Sequence, residues 1–193
     1  MGSNETKRGA AREIILQSVL DLIARDGLDA VTHRSAAEAS SVSPGTVTYH
    51  FPSRESLVDS AFSKYVSDYQ ASLNQAIAGQ PIATREDLLK FLVGTTGLSP
   101  EALSLASIEA ELALLSHRTG RLASALQAWQ RAMEPILSDV LERIGVARPV
   151  EAARMLVAIC RGTEFEVMAR GTAISAETLH ARLDAALKGL SEA

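Results

Sequence analysis

The side chains best suited to chemistry in this chain lie close together: Thr46, Thr48, Tyr49 and His50, with Arg34 and Arg54 on either side. They are short or planar hydrogen-bonding groups joined by permanent cations. Such groups match phosphate oxygens and base edges better than they match a bond-breaking reaction. Patterns for catalysis or metal binding are missing. His117, His180 and the acids Glu109 and Glu111 show no repeated ligand spacing, and there is no glycine-rich phosphate loop. Cys160 lies in an apolar helical stretch and reads as packing. The sequence therefore predicts a binding protein, with no catalytic residue, metal or cofactor.

The element that carries these groups is residues 43–51, Ser-Pro-Gly-Thr-Val-Thr-Tyr-His-Phe. Ser43 is a good N-cap, and Pro44 suits the first helical position, where its missing N–H costs nothing. Gly45 and Thr46 keep the first turn slim. Val47 and Phe51 offer a narrow apolar stripe to a core, while Thr46, Thr48, Tyr49 and His50 occupy the opposite face. A helix slim at its start and polar on one side suits a DNA major groove.

Two elements ahead of it supply the support. Residues 12–26 place Ile15, Val19, Leu22 and Ile23 at helical spacing, and Gly27 is set to end that helix. Thr32 is a second N-cap, for the small-residue helix 33–40, and Ser41-Val42 separates it from the helix at Ser43. Two short helices with a tight turn between them, behind a longer one, make a tri-helical helix-turn-helix unit.

The run from Val31 to Phe51, continued by Pro52-Ser53-Arg54-Glu55-Ser56-Leu57-Val58, resembles the DNA-binding domain of TetR-family transcriptional repressors. The likeness is specific over residues 10–60. It implies an all-α protein with a helix-turn-helix domain at 1–55 and a helical ligand-binding and dimerisation domain at 56–193. It further implies phosphate contacts from Thr32, Arg34, Tyr49, His50, Ser53 and Arg54, with Arg34 also within reach of a base edge. Ser43, Gly45, Thr46 and Thr48 would lie at the groove, and Lys7, Arg8 and Arg12 would form an arm near the minor groove. In that family position 41 is usually Gly, so Ser41 is expected to adopt a left-handed conformation or reshape the turn.

Charge argues against a simple nucleic-acid binder, since the formal net charge is −4. Placement counts for more than the sum. The cations Lys7, Arg8, Arg12, Arg34 and Arg54 sit at helix starts or in the arm, where helix dipoles add positive potential. Asp21, Asp26 and Asp29 gather at the far end of the first helix. Modest affinity per subunit follows, so tight binding would need a dimer. A competing reading is a helical adaptor that has lost or weakened DNA binding.

The remainder reads as helices over about 54–78, 84–93, 100–116, 119–145, 150–170 and 176–190, with breaks at Gly79-Gln80-Pro81 and Gly145, and with Pro135 expected to kink the helix over 119–145. Few aromatics and abundant Ala and Leu favour an all-helical chain. No window reaches the run of about 20 apolar residues that a membrane span needs. A polar start and a single cysteine lead to the expectation of a cytoplasmic protein. Helices 150–170 and 176–190, the latter with the stripe Leu179, Leu183, Ala186, Leu187 and Leu190, are expected to form a homodimer interface. The partners expected are therefore a palindromic double-stranded operator, a second copy of the chain and a small hydrophobic or amphipathic effector, with no membrane. The effector pocket is expected to draw on Phe91, Leu112, Trp129, Met133, Phe165 and Met168, with Glu109, Glu111 or Glu164 as polar anchors.

Overall fold

A computed structural model describes residues 2–79, 82–102 and 104–191. Among these residues all regular structure is helical: α1 (Gly2–Asp26), α2 (His33–Ser40), α3 (Pro44–His50), α4 (Arg54–Gly79), α5 (Arg85–Thr95), α6 (Ser104–Thr119), α7 (Ala123–Arg143), α8 (Pro149–Arg170) and α9 (Ala176–Ser191), plus single 3₁₀ turns at Leu28–Ala30 and Pro100–Ala102. No described helix is long and apolar enough to cross a membrane. Packing divides the chain into two compact units. One takes the chain up to Asp68 together with Ser107–Leu126, and the other takes Tyr69–Ala106 and the chain from Gln127 onward. The division at 68/69 lies inside α4, whose start packs as part of the first unit.

In the first unit α1, α2 and α3 pack against one another. The α1 stripe is buried as its spacing predicts, Ile15, Val19, Leu22 and Ile23 being core residues. Val47 and Phe51 join that core, each contributing about 1.5–3 kcal/mol of burial. That matters because a seven-residue helix such as α3 is far too short to persist alone. Local chemistry sets the ends. Thr32 and Ser35 form a reciprocal capping box at the start of α2. At its end Ser41 adopts φ 55°, and the Ser41 and Val42 amides donate to the Glu38 and Ala37 carbonyls at 3.3 and 3.0 Å. That is a Schellman closure with serine where glycine is usual.

The second unit holds a core of Leu88, Leu89, Phe91, Leu92, Leu137, Val140, Leu141, Leu156, Leu179, Leu183 and Leu187. Here the α9 stripe needs correcting. Leu179, Leu183 and Leu187 are fully buried within the single chain, where α9 packs on α5 and α8. The stripe is internal core, so any interface on α9 must use its other face. Three boundaries also move. α5 continues through Gly94 to Thr95, α6 starts after the Pro100–Ala102 turn, and α6 runs to Thr119 before the chain turns at Gly120 and Leu122, both at positive φ. Ser175 caps α9 as expected, its hydroxyl accepting the Thr178 amide at 3.2 Å. Gln80 and Pro81 lie outside the described residues, and α4 ends at Gly79.

Candidate nucleic-acid interface

Helix α3 is held by its apolar side and capped at its tip. The Ser43 hydroxyl accepts the Thr46 amide at 3.1 Å and shares a hydrogen bond with the Thr46 hydroxyl at 2.9 Å. The Thr48 hydroxyl donates to the Pro44 carbonyl at 3.1 Å. With that proton committed, Thr48 keeps an acceptor lone pair and a methyl group for any partner. Tyr49 is 67% exposed and makes an edge-on contact with His50, ring centres 5.1 Å apart. Gly45 is exposed, and an added Cβ there would meet only the Ser43 hydroxyl, at 3.7 Å. Nothing among the described residues requires glycine at this position.

Thr32 and Arg34 start α2. Thr32 spends its hydroxyl on the capping box, while Arg34 is exposed and pairs along the helix with Glu38 at 2.9 Å. Both partners are largely solvated, so the pair is weak and easily exchanged. Ser53 caps α4 by accepting the Ser56 amide at 3.1 Å. Arg54 is turned inward: its Nε and Nη2 donate to the Val31 and Leu28 carbonyls at 2.7 and 2.8 Å. Arg12 lies over the Phe51 ring, 5.5 Å from its centre. The side chains of Lys7 and Arg8 fall outside those described.

Sequence reasoning missed two residues that hold this surface. His33 Nε2 lies 2.7 Å from the Phe51 carbonyl, tying the start of α2 to the end of α3. Glu111 of α6 accepts the Leu28 amide at 3.3 Å, next to Gly27 at φ 81°. That pairing spans 83 positions, and no local pattern signals it.

The expected ligand residues separate. Glu109 and Leu112 belong to the first unit, where Glu109 is buried and accepts the Tyr65 hydroxyl at 2.6 Å. Phe165 is 67% exposed on α8 and lines no interior, because it sits on the face turned away from Ala153, Leu156 and Val167. Met168 packs near Ala106, Val167 and Ile174 in a small separate cluster. Phe91 and Met133 belong to the main core of the second unit, and Trp129 is buried in that same unit. Glu164 is buried, accepting the Gly97 amide at 3.0 Å and Arg161 Nη1 at 3.1 Å. Burial pushes the Cys160 thiol above its ordinary range, which disfavours the nucleophilic thiolate.

Residues 15–61 match the family model of bacterial regulatory proteins, tetR family, and residues 83–193 match the tetracyclin repressor-like C-terminal domain. Among solved structures, a transcriptional regulator from Rhodococcus sp. Rha1 aligns at 22% identity and TM-score 0.77, covering 94% of this chain and 96% of that one. A member of the TetR family from Streptomyces coelicolor A3 aligns at 20% identity and TM-score 0.67, covering 91% and 97%. A multidrug binding protein, EbrR, solved in complex with proflavin, aligns at 20% identity and TM-score 0.60, covering 91% and 99%. At such identities these likenesses establish the fold. No curated protein matches the chain in sequence.

Proposed function

The chain belongs to the TetR family of bacterial regulatory proteins, and we propose that it is a repressor that binds a palindromic operator as a dimer and is released by a small effector. The observation that carries the reading is α3: a capped helix with its apolar side buried and Gly45, Thr48 and Tyr49 exposed. Thr46 and Thr48 meet bases, Arg34, Tyr49 and His50 meet phosphates, and Thr32 and Ser53 align the two flanking helix starts toward the backbone. Arg54 works from inside, fixing the loop ahead of α2 so that Arg34 is correctly aimed. Lys7, Arg8 and Arg12, which lie within α1 and not in an arm ahead of it, reach toward the minor groove.

The dimer uses the outer faces of α8 and α9. Ala158, Gly162, Phe165 and Ala169 recur at helical spacing on α8 and are exposed, as are Ala181 and Ala185 on α9. An exposed phenylalanine among small residues is suited to close helix packing. A two-fold pair would set the recognition helices one DNA turn apart, about 34–36 Å. The effector domain is the second unit, a reading supported by the proflavin complex of the similar fold. The effector must favour a dimer spacing that fits the operator poorly, since only differential binding shifts an equilibrium.

A mobility-shift assay on DNA flanking the gene tests this. The wild type should retard a palindromic fragment, and Arg34→Ala with Tyr49→Ala should abolish the shift while the fold persists by circular dichroism. Absence of a shift on every genomic fragment would overturn the reading in favour of a helical adaptor.

A further inference from the structure

We propose that the effector is an uncharged or anionic amphipathic molecule with an sp² oxygen, carbonyl or carboxylate, which accepts the indole N–H of Trp129. This rests on reading the second unit as the effector domain. Trp129 of α7 is 9% exposed, and its Nε1 donor is sealed from solvent with no acceptor in reach among the described residues. Buried indole N–H groups ordinarily find a partner, and one without a partner is a standing energetic cost. A ligand oxygen would remove that cost, and an analogue without the oxygen would leave it in place. The site therefore discriminates on this one group.

Its surroundings decide the charge. The Arg161 guanidinium sits 4.5 Å from the centre of the Trp129 ring and 5.7 Å from that of Tyr69. It also donates to the Tyr69 hydroxyl at 2.9 Å and to Glu164 at 3.1 Å. The aromatic faces that would attract an organic cation already hold one. The nearby Glu164 carboxylate is already neutralised by its ion pair with Arg161, and it also accepts the Gly97 amide. A cationic aromatic ligand would meet the like charge of Arg161, whose own counter-ion is Glu164. An oxygen acceptor would meet a donor beside a fixed positive charge, the arrangement that strengthens a hydrogen bond to oxygen. Met133, one turn along α7 and packed on the core, continues the apolar part of the site.

Trp129 is the only tryptophan in the chain, so its emission reports this site alone. The full-length protein is titrated with 2-naphthoate, 2-naphthamide, 2-methylnaphthalene and proflavin, by fluorescence and by calorimetry. The naphthoate and the amide should bind saturably and change Trp129 emission, with methylnaphthalene and proflavin each weaker by roughly tenfold or more. Trp129→Phe keeps a ring but removes the donor. By calorimetry it should weaken naphthoate by roughly tenfold and leave methylnaphthalene unchanged, a difference that mere structural damage would not produce. Tighter binding of proflavin than naphthoate, no saturable naphthoate binding, or equal naphthoate affinity in Trp129→Phe would each overturn the proposal. Mobility shifts run without any added compound keep the two questions apart. Retarded DNA alongside any of those results removes the effector class and leaves the regulator standing, whereas naphthoate binding without retarded DNA does the reverse.

Discussion

At the scale of single residues, two positions on the helix-turn-helix unit separate the demands of the fold from those of a partner. Gly45 has negative φ and space for a Cβ, so Gly45→Ala should leave thermal stability unchanged or slightly raised, since alanine is the better helix former. If the backbone of α3 comes close to DNA, the same variant should lose operator affinity by about tenfold in a mobility shift. Unchanged affinity would show that glycine at this site is incidental. Ser41 is the opposite case. Its φ of 55° costs a side-chain-bearing residue about 1 kcal/mol that glycine avoids, so Ser41→Gly should raise Tm by several degrees in calorimetry. No rise would mean that the serine side chain compensates locally. Both positions were legible from sequence, because cap and turn chemistry is decided by neighbours within four residues. Arg54 was not: its acceptors, the Leu28 and Val31 carbonyls, lie more than twenty positions away and carry no side-chain signature.

At the scale of elements, periodicity told which face of a helix is buried but not what buries it. The leucine stripe of α9 has the spacing of an interface and serves as internal core, packed on α5 and α8. Phe165, read as pocket lining, lies on the exposed face of α8. The split between α6 and α7 was blurred for a related reason, since Ala- and Leu-rich sequence runs through it and the turn depends on positive φ at Gly120 and Leu122. These two faces make opposite predictions. Leu183→Ala removes a fully buried side chain and should cost about 2–5 kcal/mol in denaturant unfolding of the monomer. Phe165→Glu removes no internal contact of the core. Its far-ultraviolet dichroism should match the wild type, while sedimentation velocity should show dimers converted to monomers. A dimeric Phe165→Glu would move the interface elsewhere.

At the scale of the whole molecule, a chain of net charge −4 binds a polyanion only if a few cations meet phosphate and the assembly doubles them. Salt dependence measures that number directly, because each neutralised phosphate contributes about −0.9 to the slope of log affinity against log salt. Arg34 is the cation most clearly presented, exposed and held only by a solvated pair with Glu38. In a dimer each operator meets two copies of it. Arg34→Ala should therefore reduce the magnitude of the slope by about 1.8, twice 0.9, along with its loss of affinity. Gly45→Ala acts through contact rather than charge, so it should lower affinity at every salt concentration and leave the slope unaltered. A change of about 0.9 for Arg34→Ala would indicate one subunit on the DNA, and no change would place Arg34 away from phosphate. The same titration thus tests the role of a residue on α2 and the stoichiometry of the complex. In the proposed dimer, few phosphate contacts would keep sequence-independent binding weak, and shape, base contact and two-fold spacing would supply the remainder.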